Sequence, residues 1–213
     1  MAGNLIIALN RQFGSGGKEV GVKLAEMLGI KIYDNEIPKL ASEKSGIRLD
    51  YFEKVDEKPT DSFLYALAMN TFSISNTMNP IDHALSNDRL FNIQAEVIRE
   101  LAEKESFVLI GRCGEYILRD EPKCVRIYIC APIEKRVERI CRLYNMSEKD
   151  ALKRINSIDK KRESYYGYYA GKDWGACSSY ELVVDTSVIG TDKAAELIKN
   201  YIGMRYPQWQ LDH

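Results

Sequence analysis

Asn10-Arg-Gln-Phe-Gly-Ser-Gly-Gly-Lys18-Glu19 joins two stretches of different periodicity. Before it, Leu5-Ile-Ile-Ala-Leu9 is apolar on consecutive positions, the pattern of a strand buried on both faces. After it, Val20, Leu24, Met27 and Leu28 share one face of a helix. A strand that runs into Gly14-Ser-Gly-Gly17 and then opens a helix aims several backbone N–H groups, at the positive end of the helix, toward one point. That point suits a phosphate of a nucleoside triphosphate, with Phe13 to Gly17 as the cradle and Lys18 adding a full positive charge. The loop departs twice from G-x-x-x-x-G-K-[ST]: Gln12 replaces the first glycine, and Glu19 replaces the hydroxyl that ligates magnesium. For magnesium two arrangements stay open, either Ser15 as the hydroxyl or an ion held by nucleotide, water and a carboxylate.

Outward from this turn, short apolar runs recur at Phe107 to Ile110, Val125 to Cys130 and Leu182 to Val184, and Lys31-Ile-Tyr33 adds a fifth strand ahead of Asp34. Helical patterns separate them, one of which follows Pro132 with Val137, Ile140, Cys141 and Tyr144 on one face. A last amphipathic helix is expected from about Thr191 to Ile202. The order predicts a three-layer α/β fold around a five-stranded parallel sheet, in one domain spanning residues 1–213. Two stretches break the rhythm, about Gly46 to Asn87 and about Asn145 to Ser179, and both are expected as insertions on the sheet rim.

A dinucleotide-binding fold begins in a similar way, with Gly14-x-Gly16 after a first strand and Asp34 twenty residues beyond Gly14. Its third glycine would fall on Glu19, and a lysine beside the pyrophosphate is foreign to that fingerprint, so this reading ranks below the phosphate loop. Gly111-Arg112 follows the third apolar run, and ligands gather beyond the carboxyl ends of strands, so Arg112 and Asp34 are expected in one crevice with Lys18. Arg112 brings a planar fork that binds phosphate oxygens in a bidentate manner.

From Glu134 to Arg162 ten basic residues meet five acidic ones, a local charge of +5 that the overall charge of −1 conceals. Arg136 and Arg139 lie three apart on one helix, and Asp159 and Arg162 repeat the spacing. A flap that carries arginines would close over a transferring phosphoryl group and expel water. Tyr165-Tyr166-Gly167-Tyr168-Tyr169 follows, suited to stacking on a base, to covering an apolar edge or to self-association.

In this order the parts resemble cytidylate kinase: the loop ending at Lys18, Tyr33-Asp34, Gly111-Arg112, the Ala131-Pro-x-x-x-Arg136-x-x-Arg139 helix, Asp159-x-x-Arg162 and Asp185-Thr186-Ser187. The Gly-Ser-Gly-Gly-Lys-Glu loop and Gly111-Arg-Cys-Gly114 are similar to the divergent cytidylate kinase-like branch. The resemblance implies a P-loop nucleoside monophosphate kinase fold with ATP and Mg2+, an acceptor site on the first insertion and an arginine lid on the second. It also implies that Lys18 and the loop hold ATP phosphates, that Arg136, Arg139 and Arg162 surround the transferred group, that Asp34 and Arg112 face the acceptor, and that the segment after Asp185 lies near adenine. Two residues depart from the family pattern: Cys113 stands for aspartate after Gly-Arg, and Asn35 for a small hydroxyl residue after Asp34. A polar pocket that exchanges its hydrogen-bonding groups changes its preferred acceptor by orders of magnitude. A second function class is a non-catalytic nucleotide-binding module that has lost the magnesium hydroxyl.

The charge balance of 30 basic against 31 acidic residues supplies no global field for nucleic acid or an anionic membrane. Five cysteines without Cys-x-x-Cys spacing argue against a disulfide framework or zinc ribbon and fit a reducing cytoplasm. His83 and His213 lie far apart and support neither a hydrolase nor a metal centre. The expected partners are a nucleotide and a small phosphate acceptor, with the chain as a monomer or homodimer.

Overall fold

The computed structural model describes residues 4–55 and 87–207. Its centre is β1 (Ile6–Arg11), which pairs in parallel with β3 (Phe107–Ile110) on one side and β4 (Cys124–Cys130) on the other. With β2 (Lys31–Tyr33) and β5 (Leu182–Asp185) at the edges, the order is β2-β3-β1-β4-β5. In the dinucleotide-binding order strand 1 sits beside strand 2. Here β3 separates them, which removes that alternative.

β1 is buried along its whole length, and its alternation divides the core. Leu5, Ile7 and Leu9 pack with α1 (Gly17–Leu28) and α8 (Thr186–Arg205) on one face of the sheet. Ile6 and Ala8 pack on the other face with α2 (Glu36–Ser45) and α4 (Asn87–Lys104), which α3 (Leu49–Val55) joins through buried Phe52. The strand extends beyond the apolar run, because Asn10 and Arg11 keep their register with Tyr128 and Ile129. The first insertion expected at about 46–87 opens as α3, and its residues 56–86 lie outside those described.

A short α5 (Gly114–Ile117) follows β3, and α6 (Ile133–Tyr144) leads to α7 (Glu148–Ala170), whose start is capped by the Ser147 hydroxyl accepting from the Asp150 N–H at 3.2 Å. Its 23 residues span about 35 Å. Val137, Ile140 and Cys141 of α6 meet Ala151 and Ile155 of α7 and Phe13 of the loop in a small cluster of their own. The far end of α7 is anchored: Tyr165 and Tyr166 are buried, and the Tyr169 ring stacks on Phe91 of α4 at 3.8 Å. Of the three roles open to the tyrosines, these take the covering of an apolar edge, while Tyr168 stays half exposed. The last helix begins at Thr186, earlier than its sequence pattern suggests. Asp185 caps it by accepting from the Ser187 N–H at 2.8 Å, and Gly190 with φ 74° interrupts it before the amphipathic part. No helix among the described residues is long and apolar enough to cross a membrane.

Candidate active site

The loop between β1 and α1 borders a cavity of about 520 Å3 at the carboxyl ends of β1, β2 and β3. That volume accommodates a nucleotide-sized ligand. Gly14 and Gly16 adopt φ 84° and 81°, the left-handed region open to glycine, and so turn the loop back on itself. Among the described residues, five cationic side chains line the cavity, Arg11, Lys18, Arg112, Arg139 and Arg162, against the carboxylates of Glu19 and Asp34. Asn35 and the half-exposed Tyr144 line its rim.

Much of the expected set holds the loop from outside. Asp159 accepts from the Phe13 N–H at 2.8 Å, and Arg136 donates to the Phe13 carbonyl at 3.3 Å and to Asp159 at 2.5 Å. The Thr186 hydroxyl donates to the Ser15 carbonyl at 2.6 Å, and Gln12 accepts from the Ala131 N–H at 3.1 Å. Arg136, Asp159 and Thr186 are therefore clamps behind the phosphate loop rather than walls of the cavity. Asp185 is occupied with capping α8. Arg162 does reach the cavity, where its guanidinium donates to the Arg11 carbonyl at 3.1 Å.

Arg112 arrives by an uncommon backbone path. Gly111, Arg112 and Cys113 have φ 70°, 61° and 51°, and a left-handed conformation costs a non-glycine residue about 1–2 kcal/mol. The turn folds the Arg112 side chain back under β2, where it donates to the Asp34 carbonyl at 3.0 Å and to Gln94 of α4 at 3.4 Å. Cys113 is buried behind it and faces a smaller recess with Trp174 and Tyr166, so it shapes packing next to the cavity rather than its wall. On the cavity floor Lys18 and Asp34 form an ion pair at 2.7 Å.

Glu19 is committed. Its carboxylate accepts from the Thr191 hydroxyl at 2.7 Å, from Lys23 at 2.9 Å and from Arg139. The Thr191 hydrogen bond above all, with Lys23 and Arg139, holds its pKa down at about 2. Ser15 is buried, donates its hydroxyl to the Gln12 carbonyl at 2.8 Å and is not among the residues that line the cavity, so it does not substitute for the hydroxyl that Glu19 displaces. The described residues contain no group of three or more His, Cys, Asp or Glu side chains placed to hold a metal. A magnesium ion ligated by this loop does not fit these residues.

Behind the loop lies a second polar cluster, absent from the sequence-based expectations. Asn10 donates to Glu115 at 3.0 Å and to the Tyr180 hydroxyl at 3.1 Å, and Trp174 donates to Asn10 at 3.2 Å. Burial pushes the Glu115 carboxyl up to about 7. Arg11 and Gln94 are likewise new beside the expected residues. Arg11 was legible as a cation three residues ahead of Gly14, but the polar ending of an apolar run reads as loop.

A parallel sheet in this order, entered through a glycine loop at the central strand and lined with arginines beyond the carboxyl ends, is a P-loop kinase fold. The chain belongs to the cytidylate kinase-like family, whose model matches residues 6–188. It is similar to the cytidylate kinase of Methanopyrus kandleri, 27% identical with 92% of each chain covered. It is also similar to that of Pyrococcus furiosus, at 24% identity over 92% of this chain and 88% of the relative. Among solved structures, an uncharacterized protein from Eubacterium ventriosum superposes with a TM-score of 0.68 at 27% identity, over 93% of this chain and 98% of that one.

Proposed function

We propose that the protein transfers the γ-phosphoryl group of ATP to a small phosphate-bearing acceptor, with a nucleoside monophosphate as the first candidate. The observation that carries this reading is five cations against two carboxylates, among the described residues, around one cavity at a glycine loop, a cationic lining suited to a polyanion. Relatives named cytidylate kinase put CMP first on the acceptor panel.

In this mechanism Lys18 and the N–H groups of Gly14, Gly16 and Gly17 bind the ATP phosphates, the Phe13 N–H being held by Asp159, while Arg139 and Arg162 meet the charge that develops on the transferred group. Asp34, Asn35 and Arg112 face the acceptor, and Arg112 offers its fork to the acceptor phosphate. The strained turn at Arg112 and Cys113 fixes that fork before the acceptor binds, which lowers the ordering cost at reaction. Magnesium enters as part of the MgATP substrate, and no step assigned to the chain runs through it. Transfer is direct and in line, so no side chain serves as a nucleophile. A reducing, cytoplasmic setting accords with cysteines that are all free thiols.

The test is ADP release with MgATP against a panel of nucleoside monophosphates and small hydroxyl acceptors. Release stimulated by CMP or another panel member, and lost in Lys18→Ala, is the expected result. Rates equal to Lys18→Ala across the panel, with ATP still bound, would leave a nucleotide-binding module instead.

A further inference from the structure

We propose that Arg11 is a phosphate-binding residue of this nucleotide site, brought to the loop across the space that Gly17 leaves open. The proposal rests on the reading of the cavity as a nucleoside triphosphate site. Arg11 ends β1 on the same face as Leu9, the face that α1 covers. A β-carbon at Gly17 would fall 2.4 Å from Cβ and 2.9 Å from Cγ of Arg11, and 3.3 Å from Cβ of Ile129. The stem of Arg11 therefore crosses the first turn of α1, and any side chain at position 17 would displace it. The absence of a Cβ there serves the arginine as much as the loop.

The guanidinium that results is well placed for phosphate. Arg11 is only 8% exposed yet lines the cavity beside Gly16 and Gly17, at the end of the helix where unpaired N–H groups collect. Its Nη2 lies 4.0 Å from one oxygen of Asp34, and Lys18 pairs with the other oxygen at 2.7 Å. Both cations thus face the one Asp34 carboxylate at the mouth of the loop. Lys18 is largely exposed on a flexible stem, so its charge is screened. Arg11 is buried and held in place, and the fork of a guanidinium matches phosphate geometry better than a point charge. The Arg11 carbonyl also accepts from Arg162, so the residue that binds phosphate anchors the arginine assigned to the transferred group.

Arg11→Met keeps the stem against Gly17 and removes the charge. Isothermal titration with ATP, ADP, AMP and adenosine, in the absence of acceptor, reads the effect. Loss of a charge-assisted contact should weaken ATP binding by about 10- to 100-fold. The loss should shrink with each phosphate removed and vanish for adenosine, and Arg11→Lys should fall between. Where Arg11→Met does not fold, the melting shifts that ATP and adenosine induce in Arg11→Lys decide the matter. A smaller shift with ATP alone supports the proposal, and equal shifts to those of the unmodified protein overturn it. Unchanged ATP affinity in Arg11→Met, or an equal loss for ATP and adenosine, would also overturn it. Absence of ATP binding by the unmodified protein would instead remove the nucleotide reading itself.

Discussion

Asn10 and Arg11 are neighbours at the end of β1, and the pleat sends them into opposite environments. Arg11 enters the cavity, where cations predominate among the described residues, while Asn10 enters a network of Glu115, Tyr180 and Trp174. On the first side cations outnumber carboxylates among the described residues, and on the second Asn10 hydrogen-bonds to Glu115, Tyr180 and Trp174. One strand end thus carries a binding surface on one face and its rigid support on the other. Charge surplus is tolerable beside water, whereas in the interior the same surplus would cost several kcal/mol per ion.

The largest effect that would break this contrast lies on the charged side. Arg162→Ala should lower turnover by at least about 100-fold while ATP affinity changes only severalfold, because a transition-state contact is lost rather than uniform binding. Steady-state ADP release beside ATP titration separates the two, and equal losses would make Arg162 a binding residue only. Next comes the clamp. Arg136→Met leaves Asp159 with its Phe13 contact but without its ion-pair partner, and both side chains are largely buried. Urea unfolding should show a loss of about 3 kcal/mol, and an unchanged midpoint would show that the loop stands without this clamp.

A pH experiment sharpens the other side. The folded protein holds the Glu115 proton to about pH 7, above the ordinary carboxyl value of 4.5. Between these values the folded state binds more protons than the unfolded one, so stability falls as pH rises through that window. Glu115→Gln removes the titration and should gain on the order of 2 kcal/mol over the wild type near pH 8, with the two converging near pH 4. Parallel melting curves across that range would refute a protonated Glu115. The smallest effect belongs to Glu19. Its lowered pKa gives stability that is complete above pH 4.5 and lost as pH falls through about 2. Its side chain is 43% exposed, so Glu19→Gln should cost less than about 1 kcal/mol at neutral pH. The same variant should lower turnover severalfold by releasing Arg139, and a wild-type rate would separate that pairing from catalysis.

Which parts were legible follows from the range of the interactions. Four of the five strands announced themselves as apolar runs, and the phosphate loop as glycines between two periodicities, because both patterns are local. The order of strands was not legible, since β3 enters between β1 and β2 through pairings such as Ile6 with Phe107 and Lys31 with Phe107, far apart in sequence. The commitment of Glu19 to Arg139 joins residues 120 positions apart, and the Asn10 network draws on residues up to 170 positions away. Spacing and the family resemblance together grouped Asp159 and Arg136 with the reacting groups. Only the fold distinguishes a residue that grips the loop from one that faces the ligand.

The central place of β1 also governs how the chain is made. Its partners arrive only with Phe107 and Cys124, so a ribosome must add about 100 residues before either edge of β1 can be paired. At roughly 5–20 residues per second that is on the order of 5–20 seconds. During that interval Leu5 to Leu9 is an apolar segment with both hydrogen-bonding edges unsatisfied, the kind of sequence that chaperones shield and that aggregates when they are scarce. Of the five strands, the one that carries the phosphate loop is therefore made first and waits longest for its partners.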